Sequence, residues 1–95
     1  RLSQNKKNNM KNTANVIIYT AWYCSFCDSA KALLNEKKIS YKEIPVSKND
    51  AQWKEMEQLS GNKTVPQIFI NNKAIGGFDD LSLLEKTGKL DQLIK

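Results

Sequence analysis

The chain has 95 residues, enough for one hydrophobic core and not two. Forty per cent apolar and 26% charged residues are usual for a globular protein. No stretch is long and apolar enough for a signal-peptide core or a membrane span, so the sequence reads as soluble and cytoplasmic. The net charge of +5 does not point to nucleic acid: three of the bases, Arg1, Lys6 and Lys7, lie in residues 1–9, which hold no acid, and the remaining twelve face ten acids. Elsewhere lysines alternate with acids, as in Lys54-Glu55-Met56-Glu57, the pattern of a solvated face.

Residues 1–14 are polar, rich in Asn and Lys and without periodicity, and are expected to form a disordered tail. Met10 is a candidate natural start, with residues 1–9 a cloning remnant or an upstream extension. The folded domain is placed at 15–95. Val16 to Thr20 is short, β-branched and apolar, and predicts a buried strand. A helix is expected from Ser25 to Lys38, with Phe26, Ala30, Leu33 and Leu34 on one face and Lys37 and Lys38 in its last turn. Tyr41 to Val46 predicts a second strand. Pro45 has no N–H for a ladder, which assigns this strand to a sheet edge. Asn49-Asp50 can cap a second helix reaching Leu59, stopped by Gly61.

Thr64 to Ile70 predicts a third strand, entered through Pro66. Asn71-Asn72 tolerates positive φ and suits a tight hairpin to a return strand at Lys73 to Ile75. Asp79 is expected to cap a third helix with Leu81, Leu83 and Leu84 as its apolar residues. Gly88 ends it, and Leu90, Leu93 and Ile94 mark a last short helix. The order β-α-β-α-β-β-α, with that terminal helix, predicts a parallel first pair of strands and an antiparallel hairpin. Together they make a four-stranded mixed sheet with helices on both faces.

The chemistry is concentrated in Trp22-Tyr23-Cys24-Ser25-Phe26-Cys27-Asp28, which holds both cysteines. A C-x-x-C between a strand and a helix is the sequence form of a thioredoxin-like redox site. The same spacing serves zinc, but a structural zinc site needs four Cys or His ligands and this chain has two Cys and no His. No metal site is therefore expected. Cys24 falls at the helix start, where unpaired N–H groups and the positive dipole end favour its thiolate, the nucleophilic form. Cys27 lies one turn further in, more enclosed, and is placed to attack a mixed disulfide on Cys24 and release it. The plain alternative is a pair of small buried apolar residues.

Four segments, in order, resemble glutaredoxins: Ile18-Tyr19-Thr20 leading into Cys24-Ser25-Phe26-Cys27; Ala30 to Leu34; Thr64-Val65-Pro66-Gln67-Ile68-Phe69-Ile70; and Gly76-Gly77-Phe78-Asp79-Asp80-Leu81. The resemblance spans the chain from Asn15 onward and implies a thioredoxin-like (glutaredoxin) α/β fold. It also implies glutathione as cosubstrate and thiol–disulfide exchange on protein disulfides or glutathionylated proteins. Residue by residue, it implies catalysis by Cys24 and Cys27. It further implies a cis Val65-Pro66 bond, with Thr64, Val65 and Pro66 beside glutathione in the manner of an added strand. Gly77 and Phe78 would meet the ligand through backbone, Asp79 or Asp80 would hold its ammonium group, and the adjoining helix start would take its γ-glutamyl carboxylate. Tyr23 and Phe26 would line the groove, or alternatively pack in the core. Trp22 and Trp53 receive no role.

The chain departs from the family pattern at three places. Ala21 stands where many members carry lysine, and Trp53 where a glutamine or basic residue is common. Both substitutions weaken the expected grip on the glycyl carboxylate of glutathione. Ser25 replaces a common proline, and members with a small residue there include ones holding a two-iron two-sulfur cluster between two subunits. A cluster held by Cys24 and glutathione in a bridged dimer is thus one alternative to a monomeric enzyme. A redoxin reduced by thioredoxin reductase is another. Neither a nucleic-acid nor a membrane partner is expected.

Overall fold

A computed structural model describes residues 14–94. The expected tail therefore lies outside the described residues, except for Ala14, which packs against the core. Strand β1 (Val16–Thr20) leads to helix α1 (Ser25–Glu36), β2 (Lys42–Pro45), α2 (Asp50–Ser60), β3 (Gln67–Ile70), β4 (Lys73–Gly76), α3 (Phe78–Lys86) and α4 (Lys89–Leu93). The sheet order is β2-β1-β3-β4. β1 pairs parallel with β2 and antiparallel with β3, and β3 pairs antiparallel with β4. This is the mixed four-stranded sheet that the element order predicts.

Strand alternation sorts side chains between two faces. Val16, Ile18, Ile68 and Ile70 bury against Ala30 and Leu34 of α1, Leu81 of α3 and Leu90 of α4. Tyr19 and Phe69 point the other way and meet Val46 and Met56, with Trp53 of α2 packed alongside. Trp53 is thus a packing residue of the α2 face. Helices cover both faces, as expected.

Pro45 does sit on an edge strand. The next residue, Val46, donates its N–H to Thr20 O at 2.8 Å. Alternation turns the Pro45 nitrogen away from β1, where no ladder bond is needed. The Asn71-Asn72 hairpin has φ of 52° and 68°, as the sequence predicts. Asn71 also ties down the start of β1: its Oδ1 accepts from Asn15 N at 2.9 Å, and its N–H donates to Asn15 O at 2.8 Å. Gly61 closes α2 at φ 78°, and Asn49 caps its start by accepting from Gln52 N.

Several boundaries differ from the sequence expectation. α1 ends at Glu36, so Lys37 and Lys38 lie beyond its last turn. The chain turns at Lys38 in the left-handed region, φ 60°. Lys38 N donates to Asn35 O at 3.0 Å and Ile39 N to Leu34 O at 2.9 Å. Those two bonds, with Ile39 buried near Leu34, make a Schellman ending without its usual glycine. Lys37 instead reaches Glu85 of α3 at 3.1 Å and Asp91 of α4 at 2.8 Å. The hydrogen bonds it donates to Asp91 and then Glu85 hold its ammonium above the ordinary lysine value. β3 begins at Gln67 rather than Thr64, because Pro66 has no ladder donor. Leu83 is 61% exposed, since α3 turns Leu81 and Leu84 inward and Leu83 outward. Among the described residues no helix is long and apolar enough to cross a membrane.

Candidate active site

β1 runs from the core to a turn at Ala21–Cys24, closed by Cys24 N donating to Ala21 O at 3.2 Å. Cys24 is the N-cap of α1, with extended backbone. Its Sγ accepts the N–H of Cys27 at 3.0 Å. Cys24 and Cys27 are joined as a disulfide with Cα atoms 5.2 Å apart. Cys27 is 1% exposed and Cys24 9%, so the outer sulfur belongs to Cys24. Both pack with Ala21 and Val65. A thiolate on Cys24 would face the positive end of α1 and the Cys27 N–H. Asp28 in the first turn opposes that charge, but its side chain is 77% exposed and lies 3.9 Å from Lys31 Nζ.

A carboxylate braces this corner from beneath. Thr20 Oγ1 donates to Glu43 Oε2 at 2.7 Å and Lys31 Nζ donates to the same oxygen at 3.1 Å. The Thr20 hydrogen bond, then Lys31, hold the Glu43 carboxyl below its ordinary value against the opposing effect of burial. A lowered carboxyl stabilises the fold above its unfolded value and loses that contribution as pH falls through the folded one. Glu43→Gln keeps an acceptor for Thr20 and loses the charge. Thermal melts should show a gap to the parent of at most about 1 kcal/mol at neutral pH, given the exposure of the pair. The gap should close below the ordinary glutamate value of about 4.3. A gap independent of pH would remove the charge from this account.

Beside the cysteines opens a groove of about 450 Å³. α1 contributes Phe26, the segment before β3 contributes Thr64, Val65 and Pro66, and the start of α3 contributes Gly77, Phe78, Asp79 and Asp80. The Val65-Pro66 bond is cis, as the resemblance implies. Val65 touches both the groove and the cysteine pair. Phe26 is 61% exposed and stacks on Phe78 with ring centroids 6.4 Å apart. It is a groove residue and not the core residue its helix spacing predicts. Tyr23 is not among the lining residues. It is 58% exposed and meets Trp22 edge-on at 5.4 Å.

The capping of α3 also differs. Its N-cap is Gly77, and Asp80 reaches back so that Oδ2 accepts the Gly77 N–H at 3.0 Å. Asp79, the expected cap, is exposed at the groove with its carboxylate released from that task. Gly76 is not a lining residue. Its φ is +116°, and an added Cβ would lie 2.8 Å from Asp80 Cγ. Sequence reasoning missed Asn62 and Gln67, which also line the groove. Gln67 is 3% exposed and donates Nε2 to Thr64 O at 2.9 Å, fixing the segment before β3. A glutamine opening an otherwise apolar buried strand was its only signal. Asn62, just past a helix-stop glycine, had none.

A dithiol at a helix start, beside a cis-proline segment on a mixed four-stranded sheet, defines a thioredoxin-like thiol–disulfide oxidoreductase. A family model described as Glutaredoxin matches residues 16–75. Glutaredoxin 3 of Escherichia coli is 51% identical over 82 residues, covering 86% of this chain and 99% of that protein. Glutaredoxin 1 of Rickettsia prowazekii is 49% identical, covering 84% and 86%. Among solved structures, glutaredoxin from Brucella melitensis superposes with TM-score 0.79 at 44% identity, covering 93% of this chain and 95% of that one. The buckwheat glutaredoxin–glutathione complex superposes with TM-score 0.79 at 28% identity, covering 90% and 80%. The chain belongs to the glutaredoxin family.

Proposed function

We propose that the chain is a glutathione-dependent oxidoreductase that removes glutathione from protein thiols and reduces protein disulfides, with residues 15–95 as the working unit. The observation that carries this reading is the groove that meets the cysteine pair at Val65. Glutathione seated there would lie along Thr64, Val65 and Pro66, with Asp79 near its ammonium group and the start of α3 near its γ-glutamyl carboxylate. Asp80 is engaged as a cap, which leaves Asp79 the better placed of the two acids. The buckwheat relative, whose structure is a complex with glutathione, supports the same use of the fold here.

In the monothiol step the Cys24 thiolate attacks the glutathionyl sulfur of the substrate. The substrate disulfide breaks as Cys24–S–S–glutathione forms, and the protein thiolate leaves and takes a proton from water. A second glutathione thiolate then attacks the glutathionyl sulfur, so that glutathione disulfide forms and the Cys24 thiolate leaves. Alternatively the Cys27 thiolate attacks the Cys24 sulfur, releasing glutathione and forming the Cys24–Cys27 disulfide, which two molecules of glutathione reduce in turn to give glutathione disulfide. The reaction needs a pool of reduced glutathione, which supports work in the cytoplasm on disulfide-containing or glutathionylated proteins.

No observation favours the cluster alternative. A two-iron two-sulfur cluster needs four thiolates, so Cys24 and one glutathione from each of two subunits would be required to complete it. Parallel assays test the proposal: one couples disulfide reduction to glutathione and glutathione reductase, the other to thioredoxin reductase. Turnover is expected in the first. Turnover only in the second would replace glutathione with a protein reductant.

A further inference from the structure

Trp22 and Tyr23 are the two central residues of the turn closed by Cys24 N and Ala21 O. Such positions usually carry Gly, Pro, Asn, Asp or Ser, for conformational reasons that aromatic side chains do not meet. Nothing in the fold uses these rings. Trp22 is 79% exposed and Tyr23 58%, and they touch each other edge-on rather than the core. Burial therefore does not explain two adjacent exposed aromatics next to the reactive sulfur. Along the chain Cys24 is flanked on one side by the Trp22–Tyr23 pair and on the other by Phe26, which stacks on Phe78. Phe26 and Phe78 line the groove, and Trp22 and Tyr23 do not.

We propose that the Trp22–Tyr23 pair is a docking platform for substrate proteins, selecting extended segments with apolar side chains beside the glutathionylated cysteine. The inference rests on the glutathione reading above, because glutathione in the groove leaves the Trp22–Tyr23 side as the aromatic surface next to Cys24. A protein substrate must bring its sulfur within bonding distance of Cys24, which is only 9% exposed. Its flanking residues then lie over the surface around that sulfur. Flat aromatic faces with few rotatable bonds give apolar side chains contact area at low entropic cost. A small mixed disulfide carries no flanking residues and gains nothing from the platform.

The test uses two glutathionylated peptides identical except for leucine or serine on each side of the cysteine, and the mixed disulfide of glutathione with 2-mercaptoethanol. The full chain, Trp22→Ala and Trp22→Phe are compared by kcat/KM. The parent is expected to favour the leucine peptide by about twofold to tenfold, the range of one aromatic contact. Trp22→Ala should lower the leucine peptide to the level of the serine peptide, and Trp22→Phe should restore part of the preference. All three proteins should turn over the small disulfide equally. No leucine preference in the parent, the same preference in Trp22→Ala, or an equal loss on all three substrates would overturn the platform. A parent inert toward the small disulfide would instead overturn the glutathione reading, and this inference with it.

Discussion

Cys24→Ser is expected to reduce every exchange activity to the uncatalysed rate, while Cys27→Ser keeps deglutathionylation near the parent level. The asymmetry follows from where α1 places the two sulfurs. Cys24 is the N-cap, is the more exposed of the pair and receives the Cys27 N–H at 3.0 Å. A thiolate there is stabilised and reachable. Cys27 is 1% exposed, so it can reach a sulfur already on Cys24 but not an incoming substrate. Glutathione can release its own adduct from Cys24, which makes Cys27 dispensable in that reaction. A mixed disulfide with a protein is released fastest by a thiol already in place. Reduction of a protein disulfide by Cys27→Ser should therefore fall by roughly a hundredfold or more, since the effective molarity of the inner thiol is lost. Stopped-flow measurement on a glutathionylated peptide and on a disulfide-bonded protein separates the two reactions. An active Cys24→Ser would reverse the assignment.

Gly76→Ala is expected to damage fold and site together. The backbone at Gly76 has φ +116°, a conformation that L side chains rarely adopt, and a Cβ there would lie 2.8 Å from Asp80 Cγ. The strained backbone costs about 1–3 kcal/mol. Displacing the Asp80 carboxylate removes the acceptor of the Gly77 N–H, worth about 1 kcal/mol more. The sum corresponds to a melting point lower by roughly 10–25 °C for a domain of this size. Because Asp80 and Gly77 both line the groove, KM for glutathione should rise as well. Gly77→Ala is the control. Its φ is −96° and an added Cβ would meet only Pro66 O at 3.5 Å, so its melting point should fall much less. Equal effects at the two glycines would show that Asp80 is not the cause.

The fold was largely legible in the sequence because its punctuation is local. Pro45 marked an edge, Asn71-Asn72 a hairpin, Asn49 a cap and Gly61 a stop, and each acts through its own backbone chemistry. Misreadings arose where a distant partner decides. The end of α1 is set by Ile39 burying against the sheet side of the core, which lets Lys38 take the left-handed turn that glycine usually signals. Phe26 has the spacing of a core residue, but Phe78 on α3 holds it at the groove. Asp79 was the expected cap and either acid the expected ammonium partner, and the return of Asp80 to Gly77 reassigns the cap and leaves Asp79 at the groove. The cysteine pair was legible for the same reason as the turns: motif, strand and helix start are contiguous. The groove is assembled from three separate segments, which is why the family resemblance supplied most of its residues and why Asn62 and Gln67 escaped.

The central claim is that the groove receives the glutathione half of a mixed disulfide and hands it to Cys24. Intact-mass analysis of reduced Cys27→Ser, mixed with a glutathionylated peptide in the absence of free glutathione, tests this directly. The account predicts one glutathione on Cys24, located by peptide mapping, and one equivalent of free peptide thiol. Peptide rather than glutathione attached to Cys24 would contradict it, as would the absence of any adduct.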